Sequence, residues 1–213
     1  MTSLVRINAR STAVFVCDMQ ERFKTAIHGF DHVANATSKV LRAAQILDLP
    51  VFTTEQNPRA LGATVAPLMD IIKALPPISS EAVHPKTRFS MVLPEVTEQW
   101  LASASGVEGG IKSVIMTGIE SHVCVLQTSL DLLERGYQVH VLADAVSSCN
   151  AEEVPLALAR LRQAGAQITT SESMLFQLLE DAAHPKFKAI SSLIKEEKST
   201  TAEALKFLLP RAA

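Results

Sequence analysis

The chain has 213 residues, of which 47% are hydrophobic, 20% charged and 5% aromatic, and this length and composition predict a single folded domain. Its formal net charge of -2 does not favour a strong field toward nucleic acid or an anionic membrane. The longest apolar stretches have the length of a strand, well short of the roughly 20 residues that a spanning helix needs. We therefore expect neither a membrane span nor a nucleic-acid partner.

Three cysteines, Cys17, Cys124 and Cys149, are too few and too scattered for a disulfide framework, which indicates a reducing compartment. Arg6 and Arg10 lie among Ser, Thr and Asn near the N-terminus, a weak organelle-targeting bias without the pattern of a signal peptide. The cytosol is the expected location, with the mitochondrion as second choice.

The first half of the chain alternates strand and helix patterns. An apolar, β-rich run at 12–17 ends at Asp18 and predicts a strand buried on both faces. A helix is expected at 33–47 with Asp31 as its N-cap, and a strand at 51–54. A weaker helix at 65–75 ends before two prolines. Residues 78–94 are irregular apart from a short strand near 82–83, and they contain Lys86.

The second half continues the alternation. The pattern predicts a helix at 95–104, a turn at 106–110, and then strands at 113–117, 137–142 and 167–169 with helices at 122–134, 152–164 and 173–179. Glycines at 136 and 165 end two of these helices. Residues 1–195 are assigned to the domain. Residues 196–213, charged at first and apolar at the end, are expected to be a mobile tail or a helix that docks on a neighbouring subunit.

This order predicts a three-layer α/β/α fold with a mostly parallel, doubly wound sheet. In such folds the ligand site lies beyond the carboxyl ends of the strands. That rule selects Asp18, the loop after Thr54, the segment around Lys86 and the turn 118–124.

Cys124 stands out among the cysteines because it falls near the first turn of the helix that follows strand 113–117. Backbone amides and the helix dipole at such a position stabilise a thiolate. Cys17, inside an apolar strand, is interpreted as a core cysteine, and Cys149 as incidental. Taken alone, Asp18 is better explained as a turn or cap residue than as a catalytic one, and Lys86 alone resembles any surface lysine.

Five segments together resemble the isochorismatase-like, or cysteine-hydrolase, superfamily, most closely the group of isochorismatase domain-containing protein 2. They are, in order, VFVCDMQERF, PVFTTEQNPRALG, HPKTRFSM, TGIESHVCV and LDLLERGYQVHVLADAVSS. The resemblance covers residues 10–195 and implies a hydrolase.

The resemblance implies a catalytic set of three residues: Cys124 as nucleophile, Asp18 as general base and Lys86 as the cation that holds thiolate and carboxylate in place. It also implies a cis peptide bond between Ile119 and Glu120, which would turn backbone amides toward an oxyanion.

Gln20 and Phe23 fall where the superfamily lines its pocket, and we take them as tentative substrate contacts. Core or solvated roles would suit both residues equally well.

No metal and no cofactor are expected. The nicotinamidase branch of the superfamily binds a divalent metal through an Asp-x-His pair and a further histidine, whereas this chain has Thr54-Glu55-Gln56-Asn57 in the corresponding loop. The isochorismatase branch cleaves an enol ether and lacks the nucleophilic cysteine. Retention of Cys124 therefore indicates acyl chemistry on a small amide or ester, through a thioester.

Three alternatives stay open. A redox-responsive thiol protein would cycle Cys124 through sulfenic acid and would need a resolving cysteine, for which only Cys17 and Cys149 are available. A non-catalytic binding protein on the same fold is the second alternative. The presence of Asp18, Lys86 and Cys124 argues against it, because folding does not require them. A nuclease ranks last, because the sequence displays neither a metal-carboxylate cluster nor a basic groove. The resemblance also implies a homo-oligomer, a dimer or tetramer.

Overall fold

A computed structural model describes residues 6–104 and 110–209. Its centre is a six-stranded sheet in the order β3-β2-β1-β4-β5-β6, and every neighbouring pair of strands is parallel. The strands are β1 Thr12–Cys17, β2 Val51–Gln56, β3 Val83–Lys86, β4 Ser113–Ile119, β5 Gln138–Ser147 and β6 Gln167–Thr169. The expectation of a mostly parallel α/β sheet is confirmed.

Ten α-helices connect or follow these strands in the described part of the chain. They are α1 Phe30–Leu47, α2 Pro58–Leu61, α3 Ala66–Lys73, α4 Pro77–Ser80, α5 Val96–Ser103, α6 Leu126–Glu134, α7 Glu153–Ala164, α8 Ser171–Leu179, α9 Phe187–Glu196 and α10 Lys198–Leu208. The turn expected at 106–110 lies outside the described residues except for Gly110.

Helices cover both faces of the sheet, which gives the three-layer arrangement. All six residues of β1 are buried, and its side chains alternate between two cores. Val14 and Val16 pack into the core under α1, α3, α8, α9 and α10. Phe15 and Cys17 pack into the opposite core under α5, α6 and α7.

Two local expectations were wrong in detail. Helix α1 begins at Phe30 after Gly29, whose φ of 63° lies in the left-handed region that favours glycine, so Asp31 sits in the first turn and is not the N-cap. Lys86 is the last residue of β3 and does not lie in an irregular segment. β3 is a short edge strand that contains Pro85, which explains why its sequence shows no strand pattern.

The segment after residue 195 forms a helix that packs on its own chain. α10 contacts α1, and its Ala204 and Leu208 are buried in the same core as α1. The Nζ of Lys39 in α1 donates to Oγ1 of Thr201 at 2.7 Å. The segment therefore packs against α1 of its own chain. The domain boundary at residue 195 stays a prediction. No described helix is both long and apolar enough to cross a membrane.

Candidate active site

The carboxyl ends of β1, β2, β3 and β4 lie side by side and bring the predicted residues together. Cys17, the last residue of β1, pairs with Thr54 of β2 on one side and with Gly118 of β4 on the other. Asp18 follows directly, and Lys86 ends β3. A cluster of polar groups therefore forms at the edge of the sheet where parallel α/β folds bind ligands.

Asp18 leaves the extended conformation of β1, with a φ of 51°. Neighbouring side chains in a strand point to opposite faces, but this left-handed residue breaks the alternation. As a result, the Cys17 thiol donates to Oδ2 of Asp18 at 3.6 Å. Oδ1 accepts a hydrogen bond from Oγ1 of Thr54 at 2.8 Å, so both carboxylate oxygens have protein partners.

Lys86 forms a buried ion pair with Asp18. Its Nζ lies 2.6 Å from Oδ2 of Asp18, and both side chains are at most 1% exposed. The ammonium group also donates to Oε1 of Gln56 at 2.7 Å and to the carbonyl oxygens of Phe89 at 3.0 Å and Arg88 at 3.1 Å. These contacts fix the position of the charge beside the carboxylate.

The surroundings of Lys86 keep it protonated. Burial acts to lower its pKa, but the electrostatic interactions with Cys17, Asp18 and Cys124, together with the hydrogen bond to Asp18, outweigh burial and raise the pKa above its ordinary value. Lys86 is therefore a permanent positive charge at neutral pH, and it favours carboxylate and thiolate next to it.

Cys124 lies on a π-helical turn, Ser121–Val125, between β4 and α6. The peptide bond between Ile119 and Glu120, directly before this turn, is cis. Cys124 is 7% exposed, and its sulfur lies within 4.8 Å of both a carboxylate oxygen of Asp18 and the sulfur of Cys17. The backbone carbonyl of Cys124 accepts a hydrogen bond from Oγ1 of Thr128 at 2.6 Å, which ties the turn to α6.

Gly118 allows the turn to approach β1. A Cβ atom at this position would lie 2.1 Å from the carbonyl oxygen of Cys17, and the φ of 107° is itself unsuited to other residues. Any side chain at 118 would therefore push β4 away from β1 and move Cys124 relative to Asp18.

The structure places the two tentative pocket residues in structural positions. Gln20 is fully buried, and its amide nitrogen donates to the carbonyl oxygens of Gln56 at 2.9 Å and Gly62 at 2.6 Å, while its oxygen accepts from the Gln56 amide at 2.7 Å. Phe23 packs against the core under α1. Gln20 thus holds the loop after β2, and contact of Gln20 or Phe23 with a substrate stays a prediction.

Sequence reasoning missed three residues of the site. Thr54 and Gln56 end β2, and the strand-end rule that selected the loop after Thr54 could have included their side chains. Cys17 was interpreted as a core cysteine because it belongs to an apolar strand. It is buried, but its sulfur lies within 4.8 Å of the Cys124 sulfur and of a carboxylate oxygen of Asp18, and no local signal in the sequence indicates this.

Two groups of side chains among the described residues have metal-ligand chemistry. The first is Cys17, Asp18 and Cys124, and its Asp18 carboxylate is already paired with Lys86, whose positive charge opposes a cation. The second, Glu120, His122 and Cys149, is partly exposed. There the Cys149 amide donates to Oε2 of Glu120 at 2.8 Å. The expectation that the protein binds no metal stays a prediction.

A cavity of about 550 Å³ opens beside Lys86 on the carboxyl side of the sheet. Its walls come from the loop after β2 and from the end of β3: Asn57, Pro58, Arg59, Pro85, Lys86 and Thr87. Two other cavities lie near Pro50, at the opposite end of the strands from the ion pair. Of these three cavities, the one beside Lys86 lies at the carboxyl ends of the strands, and its lining does not include Asp18 or Cys124.

The family model of the isochorismatase domain matches residues 12–173, which include all three predicted catalytic residues. The chain belongs to the isochorismatase family. Proteins of this family are generally hydrolases. The resemblance inferred from five short segments is thereby confirmed.

Relatives in this family resemble the chain over most of its length. Isochorismatase domain-containing protein 2 of Xenopus laevis is 43% identical over 200 residues, which are 92% of this chain and 91% of that protein. Isochorismatase domain-containing protein 1 of Danio rerio is 44% identical, and the chain spans 65% of its length. Among solved structures, MAR1 ribonuclease from Caenorhabditis elegans is 42% identical with a TM-score of 0.80, covering 90% of this chain and 93% of that one.

Proposed function

We propose that this isochorismatase-family protein is a metal-independent cysteine hydrolase that cleaves a C–N or C–O acyl bond in a small amide or ester. The observation that carries the proposal is the convergence of three groups at the strand ends. The Cys124 sulfur lies within 4.8 Å of the Asp18 carboxylate, and that carboxylate is paired with Lys86 at 2.6 Å. A thiol, a base and a fixed cation are the parts that nucleophilic acyl transfer needs.

In the first half of the reaction, the carboxylate of Asp18 accepts the thiol proton of Cys124. Lys86, whose raised pKa keeps it charged, stabilises the resulting thiolate. The thiolate attacks the carbonyl carbon, and backbone amides of the turn near Glu120 and Cys124 hold the oxyanion that develops.

The tetrahedral intermediate then collapses. The C–N or C–O bond breaks, and the leaving amine or alcohol takes the proton from Asp18, which leaves a thioester on Cys124. In the second half, Asp18 removes a proton from water, the hydroxide attacks the thioester, and the departing Cys124 thiolate takes that proton back from Asp18. The products are a carboxylic acid and the regenerated enzyme.

Turnover of a panel of small amides and activated esters, measured under reducing conditions with a chelator present, tests the proposal. The wild-type protein should hydrolyse at least one compound, and Cys124→Ser should lose at least a thousandfold of that rate. Cys149→Ser is the matched control, because Cys149 is exposed and is not among the proposed catalytic residues. Full activity in Cys124→Ser, or activity that the chelator abolishes, would contradict the scheme.

A second candidate function is RNA cleavage, favoured by the 42% identity to MAR1 ribonuclease of Caenorhabditis elegans. The net charge of -2 argues against it, because phosphate binding draws on positive charge. Single-stranded RNA incubated with the wild-type protein, Cys124→Ser and Asp18→Asn separates the two functions. Cleavage that survives in Cys124→Ser but is lost in Asp18→Asn would favour the nuclease.

We also propose that the protein forms a homo-oligomer. Its support is the resemblance to the isochorismatase-like superfamily, together with Phe89, an apolar side chain next to the Lys86 contacts that is 51% exposed. Light scattering at micromolar concentration should give two or four times the chain mass of 23.0 kDa. A monomeric mass would refute the oligomer and leave the hydrolase proposal standing.

A further inference from the structure

A second thiol lies inside the catalytic cluster and has no part in the hydrolysis proposed above. The sulfur of Cys17 is within 4.8 Å of the sulfur of Cys124, and both residues belong to the same buried core. Cys17 is fully buried, whereas Cys124 keeps 7% of its surface exposed. An oxidant from solvent would therefore meet Cys124 first.

We propose that Cys17 is the resolving thiol of Cys124, so that a peroxide converts the pair into an intramolecular disulfide. The inference goes beyond acyl hydrolysis, because it needs only the reactivity of the Cys124 sulfur and the position of Cys17. The proposed modification site is the pair of Cys17 and Cys124, and the oxidant is a hydroperoxide.

The first step is a two-electron oxidation of one sulfur. The Cys124 thiolate attacks the O–O bond of the hydroperoxide, the bond breaks, and the leaving oxygen takes up a proton as an alcohol or water. Cys124 becomes a sulfenic acid. Lys86, 2.6 Å from Asp18, stabilises the thiolate that starts this step.

The second step joins the two sulfurs. The Cys17 thiol gives its proton toward Asp18, whose Oδ2 already accepts its hydrogen bond at 3.6 Å. The Cys17 sulfur attacks the sulfenic sulfur, the S–O bond breaks, and the hydroxyl leaves as water with that proton. A dithiol reductant reverses the change by thiol–disulfide exchange.

The local environment assigns different parts to the two thiols. Burial, the hydrogen bond with Cys124 and the negative charge of Asp18 raise the pKa of the Cys17 thiol above its usual range. Cys17 therefore stays protonated until Asp18 takes its proton, and it does not compete with Cys124 for the peroxide. Cys149 is exposed, and its backbone amide donates a hydrogen bond to the side chain of Glu120. Cys149 is therefore the control thiol.

The disulfide formed would block acyl chemistry, since the nucleophile would no longer be a thiol. It would also protect Cys124, because a disulfide does not proceed to sulfinic acid under excess peroxide as a free sulfenic acid does. The hydrolase would thus be reversibly silenced.

The test is peptide mapping of the full chain after one equivalent of hydrogen peroxide, with alkylation under denaturing conditions. In the wild-type protein, the peptides of Cys17 and Cys124 should be cross-linked and Cys149 should be alkylated. Dithiothreitol should return both thiols. Cys149→Ser should give the same cross-link, whereas Cys17→Ser and Cys17→Ala should give a Cys124 sulfenic acid that a 1,3-dione traps and that excess peroxide oxidises further.

A wild-type protein that accumulates Cys124 sulfenic or sulfinic acid without the cross-link would overturn the inference, as would a cross-link through Cys149. These readings need no substrate. An acyl adduct on Cys124 without the disulfide would therefore refute the proposed role of Cys17 and support the hydrolase. A disulfide without an acyl adduct would support the role of Cys17 and refute the hydrolase.

Discussion

Oγ1 of Thr54 donates a hydrogen bond to Oδ1 of Asp18 at 2.8 Å, and the bond is buried. Thr53, its neighbour in β2, is equally buried, but its hydroxyl finds no hydrogen-bond partner among the described residues. The same substitution at Thr53 and at Thr54 therefore distinguishes the loss of the hydrogen bond to Asp18 from the loss of a buried hydroxyl alone.

Thr54→Val should therefore lower both stability and activity. Loss of a hydrogen bond to a charged group costs about 1.5–3 kcal/mol of unfolding free energy, and a loosened base should reduce kcat by roughly tenfold. Thr53→Val should be neutral or slightly stabilising, because it removes a hydroxyl without a partner. Urea unfolding and steady-state kinetics measure both effects. Equal changes in the two variants would refute the role given to Thr54.

The buried ion pair makes a second prediction. Lys86→Met leaves Asp18 buried without its cation and should reduce the unfolding free energy by about 3–5 kcal/mol. Combining it with Asp18→Asn should cost less than the two single changes added together, since the second change removes the uncompensated charge.

The matched control for the ion pair is the surface pair of Lys24 and Glu21. Its N–O distance is also 2.6 Å, but its side chains are 46% and 45% exposed. Lys24→Met should cost at most about 1 kcal/mol. Strict additivity of the Asp18 and Lys86 changes would contradict the predicted coupling.

His140 in β5 should make stability depend on pH. Burial lowers its pKa to about 4, and Nε2 has no hydrogen-bond partner in the described part of the chain. In the folded protein His140 therefore stays neutral, whereas in the unfolded chain it becomes protonated below about pH 6.5. Stability should fall as the pH drops from 6.5 toward 4, by about 3 kcal/mol in this window, and should be unaffected by His140 above it.

The comparison of wild type with His140→Leu at several pH values isolates this contribution from that of other groups. The difference in unfolding free energy between the two proteins should be constant above pH 7 and should shift in favour of the variant below pH 6.5. A difference that does not change with pH would show that His140 is not held neutral by the fold.

The last helix should contribute to stability within a single chain. Leu208 of α10 is 5% exposed and packs in the core under α1, so Leu208→Ala should cost about 2–5 kcal/mol. Leu156→Ala is the control, since a side chain that is 68% exposed should change stability by no more than about 0.5 kcal/mol. Thermal unfolding at two protein concentrations checks the effect. A loss that appears only at high concentration would indicate docking between subunits.

The sequence was sufficient to predict the sheet and part of the site. The apolar run at 12–17 matches β1 residue for residue, and the strand-end rule led directly from it to Asp18. The starts of α1 and β3 were harder to predict from the sequence. The N-cap of α1 depends on a left-handed glycine, and β3 is a four-residue edge strand with a proline.

Contacts between distant residues could not be predicted from local pattern. Lys86 reaches Asp18 across 68 residues of chain, and Lys39 reaches Thr201 across 162. The strand-end rule therefore selected only the segment around Lys86, and the role of Lys86 itself was inferred from the family resemblance. Cys17 was assigned to the core because it lies inside an apolar strand, and only the left-handed conformation of Asp18 brings the two side chains together.

Intact-mass spectrometry after exposure to activated esters tests the central claim, the nucleophilic role of Cys124, most directly. Wild type and Cys149→Ser should each gain one acyl group, which hydroxylamine removes, and Cys124→Ala should gain none. An acyl group of equal stoichiometry on Cys124→Ala, or its mapping to a residue other than Cys124 in the wild type, would contradict the account.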